Sequence, residues 1–136
     1  MSAAPLQRPP KAPLAGRVLV VDDDPEIVTF LCTLLELEGL QASVATSATA
    51  ALEQLKMGQP SLVLLDIAMP GQDGIELCKA LKRDPGTKGV PIFVISARPG
   101  REVVERALAA GAEAFIRKPF ENHELIDKIR ERLTRR

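Results

Sequence analysis

The sequence predicts a doubly wound α/β domain built on one parallel sheet, and three observations predict it. Five short apolar runs alternate with five segments of helical spacing. The runs Leu62-Val63-Leu64-Leu65 and Ile92-Phe93-Val94-Ile95 are continuously aliphatic or aromatic, as strands covered on both faces must be. Four of the five runs end on a charged or hydroxyl residue: Asp22, Asp66, Ser96 and the pair Arg117-Lys118. An open α/β sheet binds its ligands at that carboxyl edge. With 136 residues, 46% of them hydrophobic and 26% charged, the chain has the size and composition of one globular domain.

The first strand is expected at residues 17–21. Asp24-Pro25-Glu26 then opens a helix, with Asp as N-cap, Pro at the first helical position and an acid at the positive dipole end. Ile27, Phe30, Leu31, Leu34 and Leu35 recur at helical spacing, and Gly39 can supply the left-handed stop. Residues 41–45 alternate apolar Ala42 and Val44 with polar neighbours, the pattern of a sheet edge. Thr46 or Ser47 caps a second helix that runs to about Met57 and stops at Gly58 and Pro60.

After the strand that ends at Asp66, Met69-Pro70-Gly71-Gln72-Asp73-Gly74 is a turn, and Ile75, Cys78 and Leu81 stripe the third helix. Asp84-Pro85-Gly86 breaks that helix before the strand at residues 92–95. Val103, Val104, Ala107 and Leu108 mark a fourth helix over residues 101–110, stopped by Gly111. A short last strand is expected at residues 113–116, and Leu125, Ile126, Ile129 and Leu133 stripe a final helix. The continuous runs put the first, third and fourth strands in the centre, which matches the order 2-1-3-4-5. Its topological switch point lies beside Asp22, Asp23 and Asp66. Residues 1–16, with Pro5, Pro9, Pro10 and Pro13, read as a flexible tail, and residues 17–134 as one domain.

Eighteen basic residues balance eighteen acidic ones, so no global field favours nucleic acid or an anionic membrane. Trp and Tyr are absent, which leaves no base-stacking platform. Cys32 and Cys78 stand outside any metal-binding or redox spacing and read as small buried hydrophobes of a cytoplasmic protein. No stretch has the length and apolarity of a bilayer span, and the N-terminus lacks the apolar centre of a signal peptide.

Three carboxylates converging on one rim repel one another and require a cation. A donor set of oxygens without His or Cys favours Mg²⁺ or Mn²⁺. A cation on Asp23 and Asp66 keeps positions open for a phosphoryl oxygen, while Lys118 adds positive charge and Ser96 a hydroxyl. Positioning and charge neutralisation supply most of phosphoryl-transfer catalysis. Asp66 is the natural nucleophile, and its product is an aspartyl phosphate.

Val20-Val21-Asp22-Asp23-Asp24-Pro25, Leu65-Asp66-Ile67-Ala68-Met69-Pro70-Gly71-Gln72-Asp73-Gly74, Ile95-Ser96-Ala97 and Arg117-Lys118-Pro119-Phe120 together resemble the receiver domain of bacterial response regulators, over about residues 17–134. The resemblance implies a flavodoxin-like (βα)5 fold in which Asp66 takes a phosphoryl group from a sensor histidine kinase or a histidine phosphotransfer protein. It implies a metal held by Asp22, Asp23, Asp66 and the backbone carbonyl of Ala68. Ser96 and Lys118 contact the phosphoryl oxygens, and Lys118-Pro119 is a cis peptide, which proline tolerates. Phe115 is the aromatic switch, with small Ala97 leaving it room, and Ala68 and Arg98 tune phosphoryl lifetime. The output surface is placed at residues 101–130, facing a downstream protein partner. The domain acts as a signalling switch rather than a turnover enzyme. The chain is expected to be a monomer or a phosphorylation-dependent homodimer, to contact no nucleic acid directly, to insert in no membrane, and to carry no output domain.

Taken singly, these residues have plainer readings. Asp22 and Asp23 could cap a helix, Lys118 could be a solvated strand end, Ser96 a turn residue, and Phe115 simple core. His123 reads as a solvated residue of the last helix, and the cluster Lys128, Arg130, Arg132, Arg135 and Arg136 as a complement to that helix's C-terminal dipole. Two functional rivals stand beside the receiver. One is a haloacid-dehalogenase-like Mg²⁺-dependent phosphatase with Asp22 of Asp22-Asp23-Asp24 as nucleophile. The other is a receiver-like interaction module that works without phosphorylation.

Overall fold

The structure, a computed structural model, describes residues 12–69, 71, 73–97 and 100–134. Strands β1 (Arg17–Val21), β2 (Gln41–Ala45), β3 (Leu62–Asp66), β4 (Ile92–Ser96) and β5 (Ala114–Arg117) alternate with helices α1 (Pro25–Leu37), α2 (Ala48–Lys56), α3 (Gly74–Arg83), α4 (Arg101–Ala109) and α5 (Asn122–Thr134). All strand pairs are parallel, in the order β2-β1-β3-β4-β5. Every residue of β3 and β4 is buried, whereas edge strands β2 and β5 keep partly exposed positions.

The two-residue period of the strands divides the core into two layers. Leu19, Val21, Val63, Leu65, Ile92 and Val94 face α2, α3 and α4, packing with Ala51, Leu55, Cys78 and Ala107. Val18, Val20, Leu62, Leu64, Phe93 and Ile95 face α1 and α5, packing with Leu31, Leu35, Leu125 and Ile129. Each buried aliphatic side chain contributes about 1.5–3 kcal/mol relative to exposure, so these layers dominate stability.

Helix boundaries follow the caps. The Asp24 side chain accepts from the Glu26 amide, Pro25 occupies the first turn, and Gly39 stands just beyond the helix at φ +96°. Ser47, rather than Thr46, caps α2 by accepting from the Ala50 amide. The last strand is displaced one residue from its expected span, because Arg117 still pairs with Ser96. The α1 stripe is also narrower than its sequence suggests. Leu31 and Leu35 are buried, but Phe30 is 44% exposed and lies beside Phe120, with ring centroids 6.2 Å apart.

The end of the expected tail is part of the domain. Leu14 is only 5% exposed, joins the core under α1 and α5, and donates its amide to the Glu38 carbonyl at 2.8 Å. Arg130 Nη1 donates to the Ala12 carbonyl at 2.7 Å, and its Nη2 pairs with Glu38 Oε1 at 3.0 Å. Residues 12–16 therefore dock across the ends of α1 and α5, and residues 1–11 of the expected tail lie outside the described residues. Truncating Leu14 to alanine should cost about 2 kcal/mol or more through lost burial and a residual cavity. Chemical denaturation measures it, and a loss under about 0.5 kcal/mol, the scale of a surface substitution, would show the segment to be undocked.

Candidate functional site

The three consecutive acids after β1 have three different surroundings. Asp22 is 2% exposed and continues the ladder by donating its amide to the Ala45 carbonyl, while its Oδ1 accepts from the Asp24 amide at 3.0 Å. Asp23 is exposed and Asp24 caps α1. Strand pairing Val21↔Leu65 sets Asp66 beside Asp22 at the carboxyl edge. Asp66 is buried, and its Oδ1 accepts from the Ala68 amide at 2.8 Å.

Lys118, just past β5, reaches back over the rim. Its Nζ lies 3.1 Å from Asp22 Oδ2 and 3.2 Å from Asp66 Oδ2, so one ammonium bridges two buried carboxylates. Burial is the largest single influence on Lys118 and opposes its charge. The hydrogen bonds and Coulomb attraction of Asp22 and Asp66 together outweigh it and hold the pKa above the ordinary lysine value. Carboxylate oxygens of Asp22, Asp23 and Asp66 all lie within 4.8 Å of one another. Among the described residues, three carboxylates against the Lys118 ammonium leave two negative charges, the complement of one divalent cation. The all-oxygen donor set suits a hard ion.

Ser96 closes β4, fully buried, and its carbonyl accepts the Lys118 amide at 3.0 Å. The Lys118–Pro119 peptide is cis, as expected from the sequence. Ala68 is half-buried, Ala97 is exposed, and Phe115 is half-buried against the layer beneath α2–α4. Arg98 lies outside the described residues. His123 is exposed in the first turn of α5. Both thiols are pushed above the ordinary cysteine range. For Cys32 burial leads and Glu36 adds; for Cys78 burial outweighs the opposing pull of Lys82. Neither is poised as a thiolate nucleophile.

Two supports of the site were not read from the sequence. The Asp73 carboxylate, assigned only to a turn, caps α3 by accepting from the Ile75 and Glu76 amides. Gly74 lets that helix touch the loop after β3. A β carbon there would stand 2.5 Å from Ile67 Cα and 3.0 Å from the Asp66 carbonyl oxygen. The Asx-Gly pair before an apolar stripe was the available signal for both.

Fold and site define a class: an open α/β domain whose switch point carries a cation-compatible acid cluster bridged by lysine. Comparison with known proteins gives the family. Residues 18–130 match the response regulator receiver domain, and the chain belongs to that family. It is 39% identical over 119 residues to the DNA-binding response regulator MtrA of Mycolicibacterium smegmatis, covering 88% of this chain and 51% of that protein. Against the phosphate regulon transcriptional regulatory protein PhoB of Escherichia coli it is 38% identical over 117 residues, covering 86% of this chain and 51% of PhoB. The chain thus spans about half the length of these curated relatives. Among solved structures, a putative response regulator from Chloroflexus aurantiacus superposes with TM-score 0.82 at 32% identity, covering 90% of this chain and 99% of that one. A CheY-like receiver domain protein from Methanospirillum hungatei gives 0.80 at 32% identity, covering 86% and 92%. The chain is therefore a two-component signalling receiver with the flavodoxin-like fold. No helix among the described residues is long and apolar enough to cross a membrane.

The raised pKa of Lys118 carries a stability consequence. Its protonated form contributes stability that is fully present below the ordinary lysine value of 10.5 and is lost as pH rises through the higher folded-state value. Urea midpoints of the native chain should fall across that alkaline window. Lys118→Met should be less stable at neutral pH and lack this component of the fall; parallel pH curves would remove Lys118 as its source.

Proposed function

We propose that Asp66 is the phosphoacceptor of this receiver and that its covalent state is the signal. One observation carries the reading: Asp22, Asp23 and Asp66 share a site within 4.8 Å, with Lys118 Nζ on both buried carboxylates. Asp22, Asp23, Asp66 and the Ala68 carbonyl would hold Mg²⁺ or Mn²⁺. Such a cation, when bound, neutralises charge on the phosphoryl oxygens.

A carboxylate oxygen of Asp66 attacks phosphorus of a phosphohistidine. The Asp66 O–P bond forms as the P–N bond breaks, and the imidazole nitrogen leaves with the bonding pair. Lys118 exchanges its hold on Asp66 for the arriving phosphoryl oxygens, and the Ser96 hydroxyl donates to them. Water attack on phosphorus later breaks the Asp66 O–P bond, releasing inorganic phosphate and restoring the carboxylate. The donor is a sensor histidine kinase or a histidine phosphotransfer protein. This chemistry makes the domain a switch that assists its own phosphorylation and dephosphorylation, in a cytoplasmic setting.

The output surface is assigned to residues 101–130. Phe115 and Phe120 line a concavity of about 390 Å³ there with Glu124 and Lys128, and Leu108 is 46% exposed. Phosphorylation shifts the population between arrangements of this face. MtrA is named as DNA-binding and PhoB as a transcriptional regulator. The balanced charge of this chain supports a protein partner for the surface instead of direct nucleic-acid contact. The phosphatase reading is not favoured, because the chain belongs to the receiver family and Asp66 is the more accessible of the two buried acids, 8% exposed against 2% for Asp22. The phosphorylation-independent reading also lacks support, since acceptor, acids and lysine are all together.

Incubation with acetyl phosphate and Mg²⁺ should give a one-to-one adduct by intact mass, absent in Asp66→Asn and lost on chelation. Catalytic turnover surviving in Asp66→Asn would instead revive Asp22 as nucleophile. Asp23→Asn should weaken Mg²⁺-dependent labelling at least tenfold, about 1.4 kcal/mol, without unfolding the domain, since Asp23 is exposed. At the half-buried position beside the acceptor, Ala68→Asn should change the decay rate of the phosphorylated form. Identical decay would refute a role for that side chain.

A further inference from the structure

The chain just after β3 is held more firmly than a surface turn requires. Ile67 and Met69 are each 3% exposed and join the core layer beneath α2–α4, while Ala68 between them is half-buried. The Ala68 amide donates to Asp66 Oδ1 at 2.8 Å, so the loop also orients the carboxylate that precedes it. Asp66 itself is fixed from the other side, because it still pairs with Ile95 in the ladder.

Against this loop stands the first turn of α3. Gly74 is buried, and a β carbon on it would lie 2.5 Å from Ile67 Cα, 2.9 Å from Ile67 Cγ2 and 3.0 Å from the Asp66 carbonyl oxygen. The first and last of these are backbone atoms, which no side-chain rotation can clear. Gly74 lacks the positive φ of Gly39 or Gly71, so its backbone conformation would accept alanine and only the contact excludes it. Alanine is otherwise the better helix former.

Asp73 sets where that turn begins. Its Oδ1 accepts from the Ile75 amide at 3.0 Å and the Glu76 amide at 3.2 Å, and its carbonyl accepts from the Leu77 amide at 3.1 Å. Ile75, Leu77, Cys78 and Leu81 then seat the helix in the core. Tight contacts therefore run from the buried face of α3 through Gly74 to the backbone of Asp66 and Ile67.

On the reading above, Asp66 and the Ala68 carbonyl each give the cation an oxygen. Mg²⁺ demands near-octahedral oxygens at about 2.0–2.1 Å, whereas Ca²⁺ accepts flexible geometry at about 2.3–2.6 Å. A loop whose oxygens cannot spread suits the smaller ion. We propose, building on that metal reading, that Asp73 and Gly74 are positioning residues that make the site prefer Mg²⁺ to Ca²⁺. Gly74 gives the loop its place against α3, and Asp73 fixes the helix end that presses on it. Both act through the Asp66–Ala68 backbone and not on the ion.

The test is titration of the full chain with MgCl₂ and, separately, CaCl₂, followed through the Asp22, Asp66 and Ala68 amides by nuclear magnetic resonance. The native chain is compared with Gly74→Ala, Asp73→Ala and Asp73→Asn. The native chain should bind Mg²⁺ more tightly than Ca²⁺. Gly74→Ala and Asp73→Ala should weaken Mg²⁺ binding about tenfold or more, the scale of losing an outer support of a metal ligand. Ca²⁺ binding should change less than about threefold, so the preference falls. Asparagine also caps helices, so Asp73→Asn should keep the native preference. Unshifted amides of α1 and α5, on the opposite face of the sheet, report an intact fold. Asp73 is exposed, so its two variants carry the comparison even where Gly74→Ala unfolds. Equal losses for both ions, or an unchanged preference in Asp73→Ala, would overturn the positioning role and leave the metal reading standing. Asp73→Asn behaving like Asp73→Ala would overturn it by making the carboxylate's charge the cause. A native chain that binds neither ion would remove the metal reading and the positioning role together.

Discussion

A single ammonium holding two buried carboxylates organises the carboxyl edge of this sheet. Asp22 and Asp66 are brought together because β1 and β3 are neighbours, and both sit out of water where like charges repel strongly. Lys118 is the cation the described site supplies within 3.2 Å of both, although its strand lies two places from β3. The bridge therefore demands that β1, β3, β4 and β5 all end in register. A slip of one residue in β3 would turn Asp66 to the other face and leave Asp22 and Lys118 as a simple pair. Continuous burial of Leu62 to Leu65 sets that register, because either face displaced would expose apolar surface.

The same bridge connects the site to the rest of the domain. Lys118 has its amide on the Ser96 carbonyl, and the cis-linked Pro119 and then Phe120 follow it directly. Phe120 lies beside Phe30 of α1 and lines the concavity containing Phe115. On the proposed reading, a phosphoryl group at Asp66 gives Lys118 a new anionic partner in place of the carboxylate it now holds. The elements positioned to respond are those that continue from Lys118: β5, the loop into α5, and the aromatic side chains around it. On that reading coupling needs no transmitted distortion through the core, since Lys118 is itself part of the segment that would respond.

Sequence patterning was enough for the sheet and its order. Strand runs covered on both faces, such as 62–65 and 92–95, can occupy only central positions, and the weak alternation of 41–45 suits an edge. Charged strand ends then located the rim, and the four motifs located Asp22, Asp23, Asp66, Ser96 and Lys118 in it. What stayed hidden depends on contacts between residues far apart in sequence. Leu14 sits in a proline-rich stretch with no periodicity, and only its docking beside Glu38 and Gly39 makes it core. Phe30 fits the helical stripe of α1, yet it meets Phe120 instead of the sheet core and stays 44% exposed. Consecutive acids also look alike in sequence, whereas the turn after β1 buries Asp22, exposes Asp23 and assigns Asp24 to the helix.

The site conflicts with stability. Two carboxylates are buried at the rim and a third is nearby, with one ammonium bridging the buried pair among the described residues, so the charge cluster itself opposes folding. The surrounding sheet must supply the excess, which explains why the acids stand at the ends of the most completely buried strands rather than at the edges. Any cation or phosphoryl–cation pair that relieves the uncompensated charge binds the folded state and stabilises it by mass action. Responsiveness and strain therefore have one origin: a rim balanced without its ligand would have little free energy to gain from binding it, and little with which to shift the populations of the neighbouring face.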